Sequence, residues 1–114
     1  LDLVSTLNYS SRWLENNNRK KRNRLEIAAD MLEAARNGAR KTRIMYGANL
    51  SYELLVAYLL TLIEEGLLED SDENGVYRTS KKGTTFLKEF AEFRKVRRLY
   101  EEKMTSLKKL LQVK

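Results

Sequence analysis

Residues 41–60 read KTRIMYGANLSYELLVAYLL. The stretch opens on Lys41 and Arg43 and offers Ile44 and Met45 to an interior. It breaks at Gly47–Ala48–Asn49, then restarts behind Ser51 as an apolar, tyrosine-bearing helix with no basic residue. Ser51 is a natural N-cap, and Leu50 before it can staple onto Leu55. Two short helices joined by a tight turn hold the second at an angle that enters a DNA major groove, the helix-turn-helix arrangement.

Upstream, Asn23 followed by Glu26 is a capping-box pattern. Leu25, Ala28, Met31, Leu32 and Ala35 then share one face at helical spacing, and Asn37–Gly38 supplies a left-handed stop. Downstream, Gly66 closes the helix begun at Ser51. Leu67–Leu68–Glu69 and Val76–Tyr77–Arg78 read as two strands around a turn at residues 71–75, where Asn74–Gly75 is a strong hairpin signal. A last helix begins near Thr79 or Ser80. Its residues Phe86, Phe90, Phe93, Arg97, Tyr100, Met104, Leu107 and Leu111 alternate spacings of four and three, a heptad seam unbroken by proline. The expected fold is mainly α with a small two-stranded β-hairpin: a winged helix-turn-helix followed by a long C-terminal helix. Residues 1–18 form an N-terminal extension, 19–83 the winged domain and 84–114 a dimerisation helix. The chain opens on Leu1, so a piece of a longer protein is expected.

The chain has 114 residues, 42% hydrophobic and 33% charged, values of one globular domain. No apolar run approaches the ~18 residues of a membrane span. Cys and His are both absent. That removes disulfides, thiolate metal sites and the usual nucleophile–base pairs, so neither an enzyme nor a cofactor is expected, and the setting expected is the cytoplasm. Net charge is +6, which suggests a polyanionic partner. Arg19, Lys20, Lys21, Arg22 and Arg24 put five positive charges into six residues, and Arg36, Arg40, Lys41 and Arg43 form a second cluster. Residues 49–70 hold five acidic side chains and no basic one.

The pattern Lys41–Thr42–Arg43–Ile44–Met45–Tyr46, Ala48–Asn49–Leu50–Ser51–Tyr52, Leu54, Tyr58–Leu59, Leu62 and Gly66–Leu67–Leu68 resembles an archaeal winged-helix family of transcriptional regulators. That family includes the small dimeric chromatin proteins of the Sulfolobus ten-a type. The match extends through Thr79, Lys82, Gly83 and Phe86–Leu87 and covers roughly residues 20–112. The resemblance implies DNA binding without catalysis, a nucleoid-associated role, and a homodimer made by an antiparallel coiled coil of the C-terminal helices. The chain departs from the family in two places. The exposed face of the recognition helix carries no Lys or Arg, and the wing is acidic, with Glu69, Asp70, Asp72 and Glu73.

The residues expected to meet DNA are Arg19, Lys20, Lys21, Arg22, Arg24, Arg40, Lys41, Arg43, Ser51, Tyr52, Arg78, Lys81 and Lys82. Lys41 and Arg43 open a helix against its dipole, as do Lys81 and Lys82, a cost that a bound phosphate offsets. The acidic wing tip is expected either to stand off the phosphates or to be a solvated hairpin end. Tyr58 is assigned to the core; Tyr46 and Tyr52 are candidates for stacking on bases. Phe90, Phe93, Arg97, Tyr100, Met104, Leu107 and Leu111 are expected in the dimer interface, with Arg97 fixing register. Leu55, Val56 and Leu60 are expected to be exposed. Either they face the N-terminal extension or a partner protein, or the helix packs more deeply than in relatives. The competing function is a dimeric protein-interaction module whose apolar third helix docks another protein. Such a module has no need of the two basic clusters.

Overall fold

The computed structural model describes residues 22–71 and 73–112. The elements run α1 (Arg24–Ala34), β1 (Ala39–Arg40), α2 (Lys41–Gly47), α3 (Tyr52–Glu64), β2 (Leu68–Ser71), β3 (Val76–Thr79) and α4 (Lys81–Leu111).

The capping box on α1 is complete: Glu26 N–H donates to the Asn23 side chain at 2.8 Å, and Asn23 N–H donates to Glu26 Oε1 at 3.1 Å. The helix buries Ala28, Ala29, Met31 and Leu32. Leu25, expected on that inner face, is 48% exposed. Both α2 and α4 pack on α1, and the buried face is centred on Met31 and Leu32, which leaves Leu25 at its rim. The chain turns out of α1 through Gly38, whose φ of 97° lies in the left-handed region that glycine adopts without cost.

The wing is larger than expected. The expected hairpin of β2 and β3 is present, and β1 joins it as a third strand, giving an antiparallel sheet in the order β1-β3-β2. Ala39 pairs with Tyr77 and Arg40 with Val76, while Leu68 pairs with Thr79 and Glu69 with Arg78. Alternation then puts Ala39, Leu68, Tyr77 and Thr79 on the core side and Arg40, Glu69 and Arg78 on the outer side. Thr79 also fastens the sheet to the end of α1. Its hydroxyl donates to Leu32 O at 2.6 Å, a carbonyl that the helix leaves open, and its N–H donates at 3.1 Å to Ala35 O, which also accepts from Gly38 N–H.

Helix α2 follows β1 directly and fully buries Ile44. It ends in a turn in which Asn49 takes a φ of 53° and Leu50 N–H donates to Met45 O at 2.9 Å. Ser51 Oγ accepts from Leu54 N–H and starts α3, which crosses α2 at 108°. The inner face of α3 is Leu55, Leu59 and Leu62. Leu55 is 1% exposed, so its expected place on the surface is wrong: the helix packs more deeply, Leu55 enters the core and the half-buried Leu50 packs against it. Tyr58 packs against the same cluster, as expected.

Ser80 caps α4 by accepting from Gly83 N–H at 3.0 Å. The helix runs 31 residues without a break. Phe86 and Leu87 pack against the domain core, and Phe90 is buried beside Phe86 with their rings 6.3 Å apart. Beyond Phe90 nothing on α4 is buried among the described residues.

Candidate nucleic-acid interface

The turn between α1 and β1 gathers the basic side chains that the sequence scatters. Arg78 reaches across from β3 and donates to Asn37 O at 3.0 Å. Its guanidinium lies 3.1 Å from where a Cβ on Gly38 would stand. Arg43, in the first turn of α2, flanks the same Asn37–Gly38 turn in an open depression bounded by Asp30, Glu33 and Gly47. Arg40 lies on the outer side of the sheet, and Lys41 follows it at the exposed start of α2. Arg40, Lys41, Arg43 and Arg78 therefore form one patch spanning the sheet and the start of the helix-turn-helix. None of the four pairs with a carboxylate among the described residues. The first turn of α2 carries no acidic residue to balance Lys41 and Arg43 against the helix dipole.

The other basic residues differ in their occupation. Arg22 is committed internally: it pairs with Asp30 and donates to Asn49 O at 3.1 Å, tying the entry of α1 to the turn before α3. Arg36 is held by Glu33 at 2.7 Å, and that hydrogen bond, with the attraction of the carboxylate, raises its pKa above the ordinary arginine value. Lys82 donates to Glu65 O at 2.6 Å, so its charge serves the C-terminal end of α3 rather than opposing the start of α4. Arg24 and Lys81 are exposed at the first positions of their helices. Arg19, Lys20 and Lys21 lie outside the described residues, as do the extension at 1–18 and Asp72 of the wing.

Helix α3 presents a different surface. Glu53, Ala57, Leu60, Thr61 and Glu64 face outward, with no cation among them. Ser51 is occupied by its capping bond, while Tyr52 is 61% and Tyr46 74% exposed beside the turn. Of the apolar trio expected outside, only Leu60 is exposed; Val56 is half-buried, and Leu54 takes the place expected for Leu55. Glu69, Asp70 and Glu73 are exposed on the wing, so carboxylates border α3 on that side as well.

On α4 an apolar stripe stands in water: Phe93, Tyr100, Met104, Leu107 and Leu111 are all exposed. Val96 and Leu110, which the four-and-three spacing skips, widen it. Arg97 is half-buried with its guanidinium 5.5 Å from the Phe93 ring centre, and Arg94 lies 5.7 Å from that of Phe90. Both cations are held partly by aromatic faces.

Sequence and structure each find relatives. The winged helix-turn-helix family matches residues 21–98. No curated protein matches the chain at a significant level. Among solved structures the chain is similar to Sso10a-2, a DNA-binding protein from Sulfolobus solfataricus. The two share 28% identity and superpose with a TM-score of 0.76, covering 82% of this chain and 100% of that one.

Proposed function

This chain belongs to the winged helix-turn-helix family, and on that premise we propose that it binds duplex DNA as a dimer, mainly through phosphates. The observation that carries the reading is the patch of Arg40, Lys41, Arg43 and Arg78, four cations without carboxylate partners among the described residues. The likeness to Sso10a-2, itself a DNA-binding protein, supports it. The dimer forms along the exposed stripe on α4, as an antiparallel coiled coil. Because α3 offers no cation to base edges, the contacts position the duplex more than they read it. That suits a chromatin-associated protein in the nucleoid better than a regulator of single sites.

Salt dependence tests this directly. If the head contacts about five phosphates, it contributes a log–log salt slope of about −4 to −5. Replacing Arg40, Lys41 and Arg43 together by Ala should flatten the slope by about 2.5 to 3 and weaken all sequences alike. A slope unchanged in that variant would remove the patch from the interface. Exposed Leu54 and Leu60 favour a second reading, in which α3 docks another protein. Absence of duplex binding even at low salt would leave that reading standing alone.

A further inference from the structure

The positive charge of this protein does not reside where its clusters draw the eye. Helix α4 carries ten Lys or Arg and four Glu, an excess of six that equals the net charge of the whole chain. The remaining 83 residues hold twelve basic and twelve acidic side chains and sum to zero.

Part of that excess, four of the ten cations, has a direction. Lys88, Lys95, Glu102 and Lys109 recur every seven residues, close to two helical turns, so they stand in one line along α4. Arg98, three residues after Lys95, joins it. Phe93, Tyr100 and Leu107 recur with the same period two residues earlier, which is about 200° around the helix. The basic line therefore lies directly behind the apolar stripe. All four cations are exposed, and none forms an ion pair among the described residues. Arg94 and Arg97, by contrast, are turned onto aromatic rings. Two carboxylates share this face, Glu102 on the line and Glu92 four residues after Lys88 and three before Lys95, which leaves four cations against two acids and a net positive face.

We propose that this outward face of α4 is a second DNA-contacting surface, laid along the phosphate backbone. The inference rests on the DNA-binding reading and extends it from the head to the rod. From Lys88 to Lys109 the line is ~32 Å long at ~1.5 Å per residue. That is about one turn of B-DNA, ~34 Å, along which the duplex carries a negative charge every ~1.7 Å. Pairing of two chains through the apolar stripe leaves both basic lines outward, so dimerisation does not compete with this contact. Phosphates between Lys95 and Arg98 would relieve the repulsion of like charges one turn apart.

The test is a salt titration of the full chain on a random-sequence duplex of about four helical turns. Three proteins are compared: the wild type, the combined variant Lys88→Gln, Lys95→Gln, Arg98→Gln and Lys109→Gln, and a charge-retaining variant Lys88→Arg, Lys95→Arg and Lys109→Arg. Glutamine keeps the helix propensity of lysine, and neither variant alters the apolar stripe, so sedimentation should be the same for all three. With head and rod both engaged, the wild-type slope should be near −8; the Gln variant should lose about three to four of it and the Arg variant none. A Gln variant with the wild-type slope overturns the rod contact while leaving the head reading intact. So does a wild-type slope near −4.5. If the Gln variant instead keeps its DNA slope but loses binding to anionic phospholipid vesicles, the face belongs to a membrane surface and the proposal fails. A wild type that binds no duplex removes the DNA-binding reading and this inference together.

Discussion

At Gly83 two residue-level rules point in opposite directions. Alanine is the better helix former by about 1 kcal/mol, so Gly83→Ala in the first turn of α4 looks stabilising. A Cβ there, however, would stand 2.4 Å from Leu67 O and 2.6 Å from Thr79 Cγ2. Neither neighbour can yield. Leu67 is fixed by its own N–H on Leu62 O and by Ser80 N–H on its carbonyl, while Thr79 is bonded to α1 through both its N–H and its hydroxyl. Overpacking of this kind costs about 1–3 kcal/mol. The close approach wins, and Gly83→Ala should lower the melting temperature by roughly 4–8 °C per kcal/mol, read by circular dichroism. A rise would mean that the junction between α3 and α4 is looser than its hydrogen bonds imply. Arg22 is a related case. In sequence it is one of five neighbouring cations; in the fold it alone among the described ones is tied to a carboxylate and to the turn at Asn49. Nothing in the sequence marks it, because its partners stand 8 and 27 residues away.

Element by element, legibility followed the strength of local signals. Helix α1, the turn at Asn49 and the caps at Asn23 and Ser51 could be read because periodicity and capping chemistry agree within a few residues. Strand β1 could not. Two residues show no alternation, and Ala39–Arg40 is extended only because β3 is there to pair with it. The orientation of α3 was misjudged for another reason. Leu54, Leu55, Val56, Leu59, Leu60, Leu62 and Ile63 make the helix apolar nearly all round, so no single face stands out. Tertiary packing chose Leu55, Leu59 and Leu62. The basic patch was legible as residues but not as a place, since Arg78 meets Asn37 across 41 positions of sequence. The outward face that packing left to α3 carries its own prediction. With Glu53 and Glu64 outward and no cation from Ser51 to Glu65, bidentate Arg–guanine recognition from this helix is unavailable. Discrimination between the best site and random duplex should be about tenfold to a hundredfold, below the usual specific range. Selection from a random library should return a diffuse preference; a long motif with a thousandfold advantage would require base readout from some other element.

At the scale of the molecule, the described residues make a small head on a long helix, and the two parts differ in what they bury. The head closes over α4 as far as Phe90. The 21 residues from Ala91 to Leu111 extend a further ~32 Å at ~1.5 Å per residue. Along that length Leu107 is 61%, Leu110 81% and Leu111 73% exposed. Each buried side chain of this kind contributes roughly 1.5–3 kcal/mol, so a second chain seated on the stripe gains several such terms at once. The same geometry makes the contact sensitive to charge. In the proposed dimer Leu107→Glu places a carboxylate in the seam, where it must be desolvated, at a cost of several kcal/mol unless it is paired. The mutation lies far from the head and on the side of α4 opposite the basic line, so a monomeric variant should keep the thermal stability of the head domain. Sedimentation equilibrium should therefore find a dimer for the wild type at micromolar concentration and a monomer for Leu107→Glu. An antiparallel pairing would set the two heads at opposite ends of a rod some tens of ångströms long, able to grip two sites on one duplex or to join two duplexes. The variant should accordingly lose bridging, measured as co-capture of a free duplex by an immobilised one, while each head still binds DNA singly. A monomeric wild type, or a variant that remains dimeric, would remove both the coiled coil and the bridging that depends on it.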